Sequence, residues 1–296
     1  MSGIRTKQEK VLVVIAHVVM IFLTICAIAP FWLLVSSSLQ TQQSILQNGY
    51  QFIPNPISFD AYAYILKEIG QVARAYGITI LVTVLGTALS LIITSMTAYV
   101  LTIKGLPGAG IIFAFILITM LLNGGTVATY ITYTKVVDVR DSIFALLIPN
   151  LLMNGFSVML VRNYYKNSIP YELIEAAQID GAGFFRTYVQ IIFPLSKPIL
   201  ATVGVMTALG YWNDWTNGLY FIKDSKYYSI QLLLNQINNS ASYLASHSEL
   251  KIPASEIPSI GVRLAISVLV ILPIAIVYPF FQKYFVAGVT NGAVKG

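Results

Sequence analysis

Residues 168–182 read Ser168-Ile169-Pro170-Tyr171-Glu172-Leu173-Ile174-Glu175-Ala176-Ala177-Gln178-Ile179-Asp180-Gly181-Ala182, and they sit in a polar stretch, 163–193, between two apolar runs. Pro170 suits the first turn of a helix, where its missing N–H is no loss. Glu172 and Glu175 near that start complement the helix dipole, and Gly181 supplies the stop. About three turns follow, roughly 15 Å long at 1.5 Å per residue. Leu173, Ala176, Ala177 and Asp180 fall on one face at i, i+3, i+4 and i+7. The two alanines keep that face flat, so the helix is shaped to lie close in a partner's groove.

What surrounds this helix is hydrophobic. The chain has 296 residues, 56% of them apolar and only 10% charged, against about 25% charged in a soluble domain. The mean hydropathy is +0.74. A spanning helix needs about 20 mostly apolar residues, and a charge in hydrocarbon is costly, so charges mark boundaries. Six spans are predicted on that basis: 11–35, 75–103, 109–122, 142–161, 194–213 and 264–282. Runs of this length are too long for barrel strands, and an all-α polytopic membrane protein is the expected class.

The N-terminus imitates a signal peptide, with Arg5, Lys7 and Lys10 before the apolar run and Ala27-Ile28-Ala29 as a cleavage-like triplet. Pro30 would follow the cut directly, and the run from Val11 to Val35 exceeds an ordinary signal core, so a retained first span is expected. Cys26 is the only cysteine and the histidines are His17 and His247, so no intrachain disulfide or metal cluster is expected.

Basic residues set the orientation. With both termini cytoplasmic, the inside holds ten basic and four acidic residues and the outside eight of each. The N-terminal tail and the 163–193 loop are then inside, while 37–73 and 216–259 are extracellular. The whole net charge of +6 lies on the cytoplasmic face beside anionic lipid, and the basic balance needs no nucleic acid to explain it.

Glu175-Ala176-Ala177, then Gly181, then Ile191 and Pro194 resemble the EAA loop of binding-protein-dependent ABC importer permeases, with the pattern EAA-x3-G-x9-I-x-L-P and Phe193 in place of its Leu. Asp180-Gly181-Ala182 and Pro194-Leu195-Ser196-Lys197-Pro198 are similar to the carbohydrate-uptake, MalG-type branch. Asn123-Gly124-Gly125, Tyr211-Trp212-Asn213-Asp214-Trp215 and the ending from Ala287 to Gly296 resemble its LplC/YtcP-like members, associated with oligosaccharide import. The resemblance covers most of the chain. It implies a type I importer permease fold in a bacterial cell membrane, with 163–193 as the coupling loop. It also implies a second homologous permease subunit, an extracellular solute-binding protein and a cytoplasmic ATPase dimer. No Walker motif is present, so this chain is expected to be no enzyme and to hold no cofactor, ATP and Mg being bound by the partner ATPase.

The resemblance implies that Leu173, Glu175, Ala176, Ala177, Asp180, Gly181, Ala182, Ile191 and Pro194 carry the coupling, Glu175 pairing with a basic side chain of the ATPase. The tail Gly288–Gly296 would touch the ATPase and the 216–259 loop the binding protein. Asn150, Asn154, Trp212 and Asn213 are candidates for the substrate path, since sugar sites combine aromatic faces with amides; helix–helix hydrogen bonds and an interfacial aromatic belt are their structural alternatives. A secondary ion-coupled carrier is the competing transport class, but such carriers place ionisable residues near the midplane, and these span centres have none. A membrane-embedded enzyme would need clustered His, Asp or Glu near a membrane face.

Overall fold

The computed structural model describes residues 7–246 and 259–293. In chain order the helices are α1 (Lys7–Ser38), α2 (Gln42–Asn48), α3 (Asp60–Lys67), α4 (Ile69–Val100), α5 (Ala109–Leu121), α6 (Gly125–Ile131), α7 (Phe144–Leu147), α8 (Gly155–Ser168), α9 (Tyr171–Ile179), α10 (Phe184–Thr187), α11 (Phe193–Leu195), α12 (Lys197–Trp212), α13 (Thr216–Phe221), α14 (Ile230–Ser246) and α15 (Ile260–Ala293). Wide π turns lie at Thr132–Val136 and Tyr188–Ile192. Among the described residues the β-pairing is a single bridge, Gln40 with Ile57.

Among the described residues three helices are long and apolar enough to cross a bilayer: Lys10–Ser38, Ile69–Val100 and Ile260–Phe280. A fourth crossing results if Phe184–Leu195 and Lys197–Trp212, bent by 79°, count as one span. The remaining predicted spans are not single long helices. α5 is apolar but has 13 residues, about 20 Å at 1.5 Å per residue. The stretch 142–161 is divided into α7 and α8: Pro149 and Asn150, with φ of 62°, break the first, and the Asn154 side chain caps the second by accepting from the Ser157 N–H at 3.1 Å. The stretch 216–259 is not a plain connector, since α13, α14 and a 3₁₀ turn at Ser225–Tyr227 occupy its described part; residues 247–258 lie outside the described residues.

The chain forms two compact units, 1–69 with 236–272 and 70–235 with 273–296. In the first, polar side chains fasten the segment after α1: Ser36 donates to the Gln51 carbonyl at 2.6 Å, Ser44 to that of Asn55 at 3.1 Å, and Ser38 pairs with the Tyr62 hydroxyl at 2.8 Å. Gln42 Oε1 accepts from the Ile260 N–H at 2.9 Å at the start of α15. Most apolar side chains of α1 from Val11 to Trp32 are exposed, Val13 and Ala29 being half-buried. His17 and Thr24 turn back onto its own Val13 and Met20 carbonyls at 2.6 and 2.7 Å. A helix that satisfies its polar groups internally and shows hydrocarbon outward suits lipid.

The second unit shows the same solvent from its inner side. The buried stripe of α4 is mostly small or hydroxylic, with Ala75, Thr79, Gly86, Ser90, Thr94 and Ala98 beside the larger Val72, Val82 and Tyr99. Its outer face carries exposed Ile80, Leu81, Val84, Leu85, Leu89 and Ile92. Lipid tails are as apolar as leucine, so a membrane helix gains by burying small residues that allow close backbone approach. Gly86 is such a point: a Cβ there would overlap the Tyr211 ring of α12. Among the described residues, two clusters stand in the unit's interior. One gathers Ala98, Tyr99, Val158, Val161, Tyr165, Ile192 and Ile199 around the start of α12. The other gathers Val82, Leu146, Tyr211, Phe221 and Leu232 around its end.

Candidate functional site

α9 is the helix read from the 168–182 stretch. Pro170 precedes its first turn and Glu172 lies within it. Its end is a Schellman motif: Gly181 has φ of 78°, its N–H reaches the Gln178 carbonyl at 3.0 Å, and the Ala182 N–H reaches that of Ala177 at 2.8 Å. That closure gives the Ala177-to-Gly181 spacing a physical meaning. Ala177 sits where the sixth-residue bond must land, and Gly181 where the chain must turn left-handed at little steric expense.

The exposure pattern of α9 corrects one expectation. Leu173, Ala176, Ala177 and Asp180 do not share an outward face. Ala177 is buried, and Ile174 packs beside it against the cluster around the start of α12. Leu173, Glu175, Ala176 and Asp180 are exposed. The larger apolar Ile174 sets the inward direction, and the small Ala177, three residues on, lets the helix backbone come close to the unit. Ala182 and Ile191 are half-buried and Gly181 and Pro194 exposed.

Contacts that no motif signalled hold α9 from both ends. Lys104 Nζ lies 3.7 Å from the Tyr171 ring centroid at its start. Arg162 donates to the Leu101 carbonyl at 3.3 Å and covers the Phe113 ring at 4.5 Å, so the turn before α5 is fixed to α8. Beyond Gly181, Tyr188 is buried and its hydroxyl meets Ser95 of α4. At the 79° bend Ser196 is fully buried and donates to the Phe193 carbonyl at 3.0 Å. Pro198 has no N–H for the Pro194 carbonyl, which explains why the helix breaks there.

The other end of α12, about 24 Å away along 16 residues, carries the second group. Tyr211 donates to the Leu147 carbonyl at 2.9 Å and the Asn217 amide to that of Pro149 at 2.9 Å, so both clamp the break in 142–161. Asp214 accepts from the Thr216 and Asn217 N–H groups at 3.1 and 3.2 Å. Burial pushes its carboxyl up, and the Asn217 and Thr216 amides partly offset this. Asp141 is the opposite case: the Asp224 and Lys223 N–H groups, at 3.0 and 2.5 Å, hold its carboxyl below the usual carboxylate value.

The four substrate-path candidates are not brought together. Asn150 lines a polar cavity of about 240 Å³ with Thr126, Tyr130, Thr216, Asn217 and Tyr220. Trp212 lines a different, apolar cavity of about 430 Å³ with Thr83, Thr87, Gly204 and Ala208. Asn213 accepts from the Gln231 amide at 3.1 Å, and Asn154 is the cap of α8. Among the described residues no group of three His, Cys, Asp or Glu stands where it could hold a metal.

Residues 17–291 match the family of binding-protein-dependent transport system inner membrane components. The chain belongs to that family. The permease is 33% identical to protein LplC of Bacillus subtilis over 269 residues, 91% of this chain and 90% of that one. It is 32% identical over 277 residues to the polygalacturonan/rhamnogalacturonan transport system permease protein YtcP of the same species, covering 94% and 95% of the two chains. A chain from the crystal structure of a bacterial ABC transporter involved in the import of the acidic polysaccharide alginate superposes with a TM-score of 0.80 at 27% identity, over 96% of this chain and 100% of that one. The permease is therefore a membrane-bound component of the sugar ABC transporter family with a type I permease fold.

Proposed function

We propose that this permease crosses the membrane six times and forms half of a translocation pathway for a carbohydrate, an oligosaccharide in the first instance, driven by ATP hydrolysis in a separate subunit. In this reading the termini and α9 face the cytoplasm and α13 and α14 face outward. A second homologous permease completes the pathway, an extracellular binding protein delivers cargo, and ATP and Mg are held by an ATPase dimer. The stretches 109–122 and 142–161, the second of them interrupted, serve as the third and fourth crossings.

The observation that carries the reading is the division of α9 into two faces. Ile174 and Ala177 join it to the unit, while Leu173, Glu175, Ala176 and Asp180 are left outward for a partner. A short helix joined in this way transmits displacement rather than absorbing it. Motion imposed on α9 passes to Tyr188, Ile192 and Ile199 in one packed cluster, and through them to α12. Two such arrangements, biased by nucleotide in the partner, satisfy what coupling requires. The ion-coupled carrier has no support from the family.

The test is purification of the tagged permease from its native membrane. An ATPase should co-purify, and its activity should rise when the loaded binding protein is added. Purification alone, with uptake driven by a proton gradient without ATP, would overturn the proposal.

A further inference from the structure

The polar cavity near Asn150 is built from parts that the fold does not use. Thr126, Tyr130, Asn150, Thr216 and Tyr220 all line it, yet none of their side chains makes a hydrogen bond to another described residue. Tyr130 stacks on Phe221 with ring centroids 6.0 Å apart and 9° between planes, and Tyr133 meets the edge of the same ring, so one wall is a fixed aromatic surface. Tyr130 and Tyr220 remain 41% and 43% exposed, leaving ring area open to a ligand. Asn150 keeps a left-handed backbone, φ 62°, at the helix break. Residues held in such conformations cluster at ligand sites. Neighbouring groups are fixed from behind: Asn217 by the Pro149 carbonyl, and the Thr216 and Asn217 backbone by Asp214.

Size and charge narrow the ligand. The volume, about 240 Å³, lies under the roughly 300–1,000 Å³ of sites for drug-sized molecules, so it admits one ring of a saccharide rather than a run of them. Among the described residues no lysine or arginine lines it. Arg140 and Lys226 are paired with Asp138 and Asp224 at 2.7 and 2.9 Å. Two charges bear on the lining: the Asp214 carboxyl, which accepts from the Thr216 and Asn217 N–H groups, and Arg140, which acts on the Tyr130 hydroxyl but whose guanidinium is already taken up by two hydrogen bonds to Asp138. Binding of a carboxylate sugar calls for a cationic, commonly bidentate partner, and here a uronate would meet amides, hydroxyls and an acid.

We infer that this cavity is a subsite for a single uncharged sugar unit, contributed by the permease itself and selecting against uronates. It differs in this respect from what alginate and polygalacturonan, the polysaccharides for which the alginate transporter and YtcP are named, would require. The inference rests on the carbohydrate reading above. The amide and hydroxyl groups of the lining would bond sugar hydroxyls, with the open tyrosine faces covering the ring's C–H face.

The intact transporter, purified through a tag on this chain and placed in nanodiscs without its binding protein, should transfer saturation in NMR to raffinose but not to trigalacturonate. Tyr220→Ala should weaken the raffinose signal several-fold, and so should Asn150→Gly, which keeps the left-handed backbone and removes the amide. Thr126→Lys, on an exposed helical position, should create a trigalacturonate signal. The inference is overturned by an absent raffinose signal, by equal wild-type signals for both sugars, by a raffinose signal unchanged in either Tyr220→Ala or Asn150→Gly, or by a silent Thr126→Lys. ATPase stimulation by the loaded binding protein is measured on the same samples. If it persists while these signals fail, the subsite falls and the permease assignment stands.

Discussion

Gly181 shows how a single residue can decide an element. Its φ of 78° and the pair of closing bonds from Gly181 and Ala182 end α9 and redirect the chain. Nothing lies within 4 Å of a Cβ placed there, so the obstacle to replacement is backbone conformation rather than space. Gly181→Ala should therefore lower stability by about 1 kcal/mol, read as a modest fall in thermal midpoint of the detergent-solubilised protein. Gly181→Asp should add a charge at the partner face and abolish uptake while the protein still reaches the membrane; wild-type uptake in that variant would refute the coupling role. Asp141 governs a second local closure. Its folded carboxyl is depressed, so its contribution is complete above the unfolded value of about 3.9 and is lost as pH falls through the lower folded value. Thermal midpoints measured from pH 6 down to pH 3 should decline more steeply in the wild type than in Asp141→Asn, which preserves the acceptor and removes the titration.

At the scale of elements, α9 precedes the segment Phe184–Leu195, which meets α12 at the 79° bend around Ser196. α9 presents Glu175 outward, and Glu175→Lys reverses a charge without touching the buried Ile174 and Ala177. We expect membrane insertion and thermal midpoint to be unchanged and ATPase stimulation by the loaded binding protein to be lost. Unchanged stimulation would remove Glu175 from the coupling face. The far end of α12 depends on close packing. The Tyr211 ring occupies the space a side chain at Gly86 would need, and its hydroxyl is committed to the Leu147 carbonyl. Gly86→Ala should displace the ring and lower stability by about 1–3 kcal/mol, the usual range for an overpacked interior. Gly77, with nothing within 4 Å of its Cβ, is the control position on the same helix, and Gly77→Ala should leave the thermal midpoint within a degree or two of the wild type.

For the whole molecule, topology is the property with most depending on it. In a Cys26→Ser background, a cysteine at Gln178 should react with a membrane-impermeant maleimide only in inside-out vesicles, and one at Ser225 only in intact cells. The reverse pattern would place α9 outside and exclude any contact with a cytoplasmic ATPase. Much of this was legible in the chain itself. Hydropathy and charge located 11–35, 75–103 and 264–282, because hydrocarbon imposes long uncharged helices wherever a chain crosses it. The start, stop and length of α9 were readable because Pro170 and Gly181 act through local backbone geometry. The break in 142–161 was less visible, since Pro149 and Asn150 carry the signal in two residues of an otherwise apolar run. What the sequence could not determine was which side chains face one another. Ala177 points inward because Ile174 finds a cluster assembled from α4, α5, α8 and α12. Asn150 joins Tyr220, and not Trp212, because Asn217 and Tyr211 hold the helix break from 68 and 64 residues away. Local propensity and the solvent act on each segment separately, whereas a cavity exists only after distant segments have packed.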